Sequence, residues 1–160
     1  CTLSFDTHAS TMMGVSPESF VHFCEDNSLT SYGANCGVGP SEIVDTILQI
    51  KKNQNEEIPI IAKGNCGIPS YQEGKIVYSG TPEIMSTYAL MAFKAGAKII
   101  GGCCGTTPLH IRAMRNALEK APISASYSMK EHFEQLGEPW HETDKSKKRI
   151  KRSNLRNRDL

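Results

Sequence analysis

Cys103 and Cys104 stand side by side in Gly101-Gly102-Cys103-Cys104-Gly105-Thr106-Thr107-Pro108, and adjacent thiols set between glycines point to chemistry rather than packing. An ordinary disulfide needs Cα atoms about 4.4–6.8 Å apart, whereas sequence neighbours lie about 3.8 Å apart, so a bridge between them would be strained. Two thiolates on one soft metal ion is the better use. Successive strand side chains face opposite ways, so both sulfurs reach one ion only if the strand ends before them, a break that the flanking glycines allow. The run Lys98-Ile99-Ile100 precedes the pair and a helix start at Thr107-Pro108 follows it. That context places the thiols at the carboxyl end of a buried strand, where α/β proteins keep their ligands. Cys36 is the candidate for a third ligand, because Tyr32-Gly33-Ala34-Asn35-Cys36-Gly37-Val38-Gly39-Pro40 also runs from a strand-like segment into a helix start.

The elements that must position these thiols are legible from periodicity. Strand-like segments near 2–6, 32–36, 58–63 and 97–101 alternate with amphipathic helical ones near 17–27, 40–53, 82–95 and 108–119. This is the pattern of βα units on a parallel sheet. Pro17, Pro40, Pro82 and Pro108 each open a helical segment, where the N–H that proline lacks would have no helical partner. A weaker repeat joins Asn35-Cys36-Gly37-Val38 to Asn65-Cys66-Gly67-Ile68 and implies that the third unit resembles the second, with a loop at 69–80 inserted after its strand. Four consecutive units fit half of an eight-stranded barrel. The alternative is an open doubly wound sheet, which is weakened because no Gly-rich dinucleotide fingerprint follows any strand.

A chain of 160 residues, 39% hydrophobic and 22% charged, is long enough for one globular domain. No run approaches the ~20 apolar residues of a membrane span and no signal peptide is recognisable, so a cytoplasmic enzyme, with no membrane partner, is expected. Six cysteines are too few for a disulfide scaffold and favour metal binding or catalysis. The chain opens on Cys1 without an initiator Met and leads straight into a strand, which reads as the middle of a longer protein. Residues 145–160 carry eight Lys/Arg against one Asp, although the whole chain is only +1, so the rest is net negative. The expected division is therefore the four βα units, a half-barrel, at 1–120 and, over 121–160, a linker, a short helix within 128–140 and a disordered, flexible basic tail. That tail reads as a solvated appendage, with nucleic acid an unlikely partner.

Three motifs carry a family resemblance: Gly33-Ala34-Asn35-Cys36-Gly37-Val38-Gly39, Lys63-Gly64-Asn65-Cys66-Gly67-Ile68-Pro69 and Gly101-Gly102-Cys103-Cys104-Gly105-Thr106-Thr107-Pro108. Together they resemble the zinc-dependent homocysteine S-methyltransferases. Ser4-Phe5-Asp6-Thr7, Thr11-Met12-Met13-Gly14 and Tyr78-Ser79-Gly80-Thr81-Pro82-Glu83 look most like the bacterial betaine–homocysteine branch. The same domain begins cobalamin-dependent methionine synthase. The resemblance runs from about residue 2 to 119 and implies a (βα)8 TIM barrel of which this chain supplies the last four βα units. It implies Zn²⁺ held by Cys36 after the sixth strand and by Cys103 and Cys104 after the eighth. Alternate barrel strands present side chains at one height, which agrees with that set and leaves Cys66 on the seventh strand as packing or pocket wall. The first four units, which in the family grip the amino acid moiety of homocysteine and enclose betaine, are absent, so a missing N-terminal half-barrel is the implied partner.

On this reading the three cysteines leave an open position on the metal for a substrate thiol, the catalytic pattern. Homocysteine would be held there as a thiolate and attack a methyl group on a cationic nitrogen, giving methionine. Betaine is the favoured donor; S-methylmethionine, another betaine or a methyl-corrinoid would use the same chemistry. Tyr78 and Tyr71 are candidates to reach the barrel mouth, where aromatic faces bind quaternary ammonium groups, and Asn35 is a candidate partner of a cysteine sulfur. His8, His22, His110, His132 and His141 lack ligand spacing and read as surface or packing residues. Met12, Met13, Met85, Met91 and Met114 read as core or gap-filling residues. Two competing readings remain: a non-catalytic half-barrel with structural zinc, Cys66 as fourth ligand and a nucleic-acid-binding tail, and thiol redox chemistry at Cys103 and Cys104.

Overall fold

The computed structural model describes residues 1–6, 9–67, 69–122 and 126–139. In chain order the elements are β1 (Thr2–Leu3), α1 (Pro17–Asp26), β2 (Tyr32–Cys36), α2 (Pro40–Asn53), β3 (Ile60–Gly64), β4 (Pro69–Gln72), β5 (Lys75–Tyr78), α3 (Pro82–Lys94), β6 (Ala97–Gly102), α4 (Pro108–Lys120) and α5 (Met129–Leu136). Strands β1, β2, β3 and β6 form one parallel sheet in that order, and β4 and β5 form a separate antiparallel hairpin. The order follows the chain without reversal, so the sheet lacks the switch point of a doubly wound fold.

Proline opens each of the first four helices. The Ser16 and Thr81 hydroxyls accept from the backbone N–H of Ser19 and Ile84, satisfying donors that the first helical turn leaves orphaned. At α4 the Nδ1 of His110 accepts from the Thr107 N–H at 3.1 Å, so that histidine is a capping residue. The core lies between one sheet face and the helices: Tyr32, Ala34, Ile60, Ala62 and Ala97 meet Ile43, Ile47 and Ile50 of α2 and Met85 and Tyr88 of α3. Each fully buried isoleucine contributes about 1.5–3 kcal/mol relative to exposure. The alternation of β3 buries Ile60, Ala62 and Gly64 and leaves Ile61 and Lys63 half-buried.

Several expectations are revised. β6 is an edge strand rather than a buried one, with Lys98 exposed and Ile99 48% exposed, because nothing pairs beyond it among the described residues. β1 is only two residues long, since pairing with β2 ends at Leu3–Ala34. The segment 69–80 is largely the hairpin, closed by Glu73 and Gly74 at φ +47° and +81°, the conformation that tight hairpins favour. Met12 and Met13 are 90% exposed and fill no core, whereas Met85, Met91 and Met114 are buried. His22 is exposed. His8, His141 and the basic tail lie outside the described residues. No helix among the described residues is long and apolar enough to cross a membrane.

Helix α5 is docked rather than loose. Ser128 caps it, and Lys94 of α3 pairs with Glu131 at 2.8 Å. His132, 1% exposed, spends both ring nitrogens: Nε2 meets Ser41 Oγ at 2.9 Å and Nδ1 meets the Tyr127 hydroxyl at 2.5 Å. Because Ser41 donates to the Gly137 carbonyl at 2.7 Å, its oxygen accepts from Nε2–H, and Tyr127 donates to Nδ1. Burial favours the neutral ring, in which that assignment holds. Burial lowers its pKa below the ordinary 6.5, opposed by the field of Asp45. A histidine whose folded pKa is depressed contributes stability that is full above about pH 6.5 and lost as pH falls, because the unfolded chain takes the proton first. His132→Gln should cost about 1–3 kcal/mol, from groups left unpaired in the interior. Urea unfolding at pH 7.5 and pH 5.5 should show a drop in the parent protein that shrinks in the variant.

Candidate metal centre

The Sγ atoms of Cys36, Cys103 and Cys104 lie within 4.8 Å of one another, although Cys36 is 67 residues from Cys103. Cys36 and Cys103 are 2.7 Å apart and Cys103 and Cys104 3.9 Å, and all six cysteines are free thiols. Among the described residues this is the one group of three or more His, Cys, Asp or Glu side chains that could hold a metal ion.

Strand ends bring the sulfurs together. β2 stops at Cys36, whose φ of +57° is a left-handed conformation rare for a side chain with a Cβ, and Gly37 follows at +70°. Such a residue costs of order 1–3 kcal/mol and persists where its surroundings over-determine it. Continued extension would have pointed Cys36 with Tyr32 and Ala34 into the helix layer. β6 stops at Gly102, immediately before the cysteine pair. Cys103 N–H donates to the Gly64 carbonyl at 2.8 Å and Cys66 N–H to the Cys104 carbonyl at 2.9 Å, so hydrogen bonding with the segment after β3 continues past the end of β6.

Asn65 ties the two thiol-bearing turns to each other. It is 6% exposed; its Nδ2 donates to the Gly37 carbonyl at 2.8 Å and its Oδ1 accepts from the Cys104 N–H at 3.2 Å. Tyr88 fixes the layer below, where its hydroxyl accepts from Gly64 N–H at 2.8 Å and donates to the Gly101 carbonyl at 3.4 Å. Burial pushes the Tyr88 phenol far above its ordinary range, so it stays a neutral donor.

The thiols do not ionise alike. The hydrogen bond from Cys103 holds Cys36 below the ordinary thiol pKa against the opposing effect of burial, with help from Asn35, Cys104 and Lys63. Burial and its neighbours push Cys103 up to about 11. Of this pair Cys36 therefore loses its proton before Cys103, which keeps one and donates it.

Of the other residues singled out in the sequence, Asn35 adjoins Cys36 and donates to Ser4 Oγ at 3.2 Å. Tyr78 stands at the end of the hairpin, and its phenol is raised by desolvation first and by Cys104 second. Its ring lies over Gly105, where φ is +77° and an added Cβ would come within 2.7 Å of Tyr78 Cβ. Tyr71 is 78% exposed on the hairpin. Cys66 is buried and its thiol donates to the Gly80 carbonyl at 3.2 Å, outside the cluster. The sequence reading missed the roles of Asn65 and Tyr88; the repeated Asn-Cys-Gly was the available signal for Asn65.

Three sulfurs suit a soft, tetrahedral ion. At a Zn–S length of ~2.3 Å two thiolates on one ion sit roughly 3.8 Å apart, close to the Cys103–Cys104 separation, while the Cys36–Cys103 pair would open by about 1 Å. Residues 1–118 match the homocysteine S-methyltransferase family. The chain belongs to that family. It is 28% identical over 120 residues to methionine synthase of Mycobacterium leprae and 28% identical over 118 residues to that of Mycobacterium tuberculosis, covering 74% and 72% of this chain but 10% of each synthase. The crystal structure of the homocysteine methyltransferase MmuM from Escherichia coli in its apo form superposes with a TM-score of 0.54 at 20% identity, covering 72% of this chain and 38% of that one. Its oxidized form gives 0.53 at 21% identity, covering 69% and 32%. The chain thus shares the α/β fold of this homocysteine S-methyltransferase while spanning well under half its length.

Because Asn65 bridges the turns that carry the thiols, Asn65→Leu should lower metal affinity by about tenfold or more, the scale of losses for groups that orient ligands. Asn65→Asp keeps an acceptor for the Cys104 N–H but loses the donor to Gly37, and should fall between. Competition titration with a chromophoric chelator reads both.

Proposed function

We propose that this chain is the metal-holding part of a zinc-dependent methyltransferase that transfers a methyl group from betaine to the thiol of homocysteine, forming methionine. The observation that carries this reading is the three-thiol cluster at the strand ends of a chain in the homocysteine S-methyltransferase family. Cys36, Cys103 and Cys104 would be the ligands. Bound zinc would supply a Lewis acid able to ionise an incoming thiol at neutral pH. Cys66, engaged with Gly80, supports a fourth position left for that thiol.

The chain's own groups have distinct parts. Asn35, next to Cys36, would steady that sulfur's turn through Ser4, and Tyr78, packed over Gly105, would wall the cysteine pair. The three ligand sulfurs bring excess negative charge to the strand ends, which favours a donor whose methyl sits on a cationic nitrogen over a neutral one. In this reading residues 1–120 are the second half of a (βα)8 barrel against which α5 packs, and the edges at β1 and β6, unpaired among the described residues, await the other four units. Six free thiols fit the reducing environment of the cytoplasm.

The test is metal content by mass spectrometry with a methionine assay. The parent chain should carry about one zinc, and Cys103→Ser/Cys104→Ser should carry none. Any methionine formed from homocysteine and betaine should vanish with the zinc; methionine formation by the metal-free protein would contradict the proposal, as would zinc retained by the double variant.

A further inference from the structure

Lys63 is neither a candidate ligand nor a hydrogen-bond partner of one, yet it occupies the strand between the two that carry the thiols. Asn35 of β2, Lys63 of β3 and Gly101 of β6 are in register across the sheet. Asn35 immediately precedes Cys36, and Gly64, which follows Lys63, accepts the N–H of Cys103. The Lys63 stem runs past Gly101, where an added Cβ would meet Lys63 Cγ at 3.8 Å. The lysine is half-buried, and no described carboxylate lies within ion-pair distance of its ammonium.

A half-buried ammonium with no described carboxylate at ion-pair distance, on the strand between those that carry the thiols, needs an anion, and the thiols need a cation once loaded. Three thiolates on a divalent ion leave a net charge of −1, and a substrate thiolate would make it −2. Charge held away from water is costly unless compensated. We propose that Lys63 is the counter-charge of the loaded metal centre: a positioning residue that stabilises the anionic three-thiolate site from the strand between its ligand-bearing strands. This rests on the metal-holding reading above. It makes β3, which offers no ligand, an electrostatic contributor to the site.

The probes are Zn²⁺ and Co²⁺ alone, titrated into the parent chain and into Lys63→Met, Lys63→Arg and Lys63→Glu against a competing chelator. Lys63→Met should bind about tenfold more weakly, Lys63→Glu more weakly still, and Lys63→Arg within about threefold of the parent. The loss should shrink in about 1 M salt, because the lost interaction is Coulombic and partly open to solvent. The Co²⁺ ligand-field bands, which report ligand set and geometry, should keep their position in all variants, whereas a role in shaping the site would displace them. Affinity of Lys63→Met within twofold of the parent, or a displaced band, would overturn the inference and leave the metal-holding reading standing. A parent chain that takes up neither metal would overturn both.

Discussion

The register of β2, β3 and β6 at their carboxyl ends is the constraint on which the rest depends. Three sulfurs from segments 67 residues apart meet because Cys36 ends one strand, Cys103 and Cys104 follow another, and the strand between them bonds to both. The hydrogen bonds that continue after β3 and β6 end, Cys103 N–H to Gly64 and Cys66 N–H to Cys104, carry the pairing into the cysteine turn. Asn65 adds the link that the backbone cannot make, from the Cys104 side to Gly37. A one-residue slip would turn each of these side chains to the opposite face.

That arrangement concentrates cost and function at the same place. Cys36 takes a left-handed conformation, Cys103 is pushed above the ordinary thiol range, and Cys36 and Cys103 sit closer than two ligands of one ion would. The hydrophobic layer below, with Tyr32, Ala34, Ile60 and Ala62 against α2 and α3, supplies the stability against which such strain can persist. Tyr88 couples the two layers, since one buried hydroxyl holds the ends of β3 and β6 from the helix side.

The sequence disclosed those parts whose cause is local. Proline at the first helical turn marks four helix starts, which Pro17, Pro40, Pro82 and Pro108 occupy. The Gly-Gly-Cys-Cys-Gly run marks a strand end, and β6 ends at Gly102. What stayed hidden depends on partners distant in the chain. Asn65 reads as a turn residue until Gly37 and Cys104 are beside it, and Tyr88 as an ordinary helix aromatic until its hydroxyl is under Gly64. The exposure of Ile99 follows from its register with Ile61, on the sheet face turned away from the helix core, which no feature of β6 itself discloses. His132 is likewise a plain polar residue on a short helix until Ser41 and Tyr127 enclose it.

The central claim, that these three sulfurs hold a zinc ion with one position open to a thiol, is tested most directly by X-ray absorption at the zinc edge. The account predicts about three sulfur scatterers at ~2.3 Å with one lighter atom, rising to about four sulfurs when homocysteine is added. Four sulfurs before homocysteine, or a first shell dominated by nitrogen and oxygen, would contradict it.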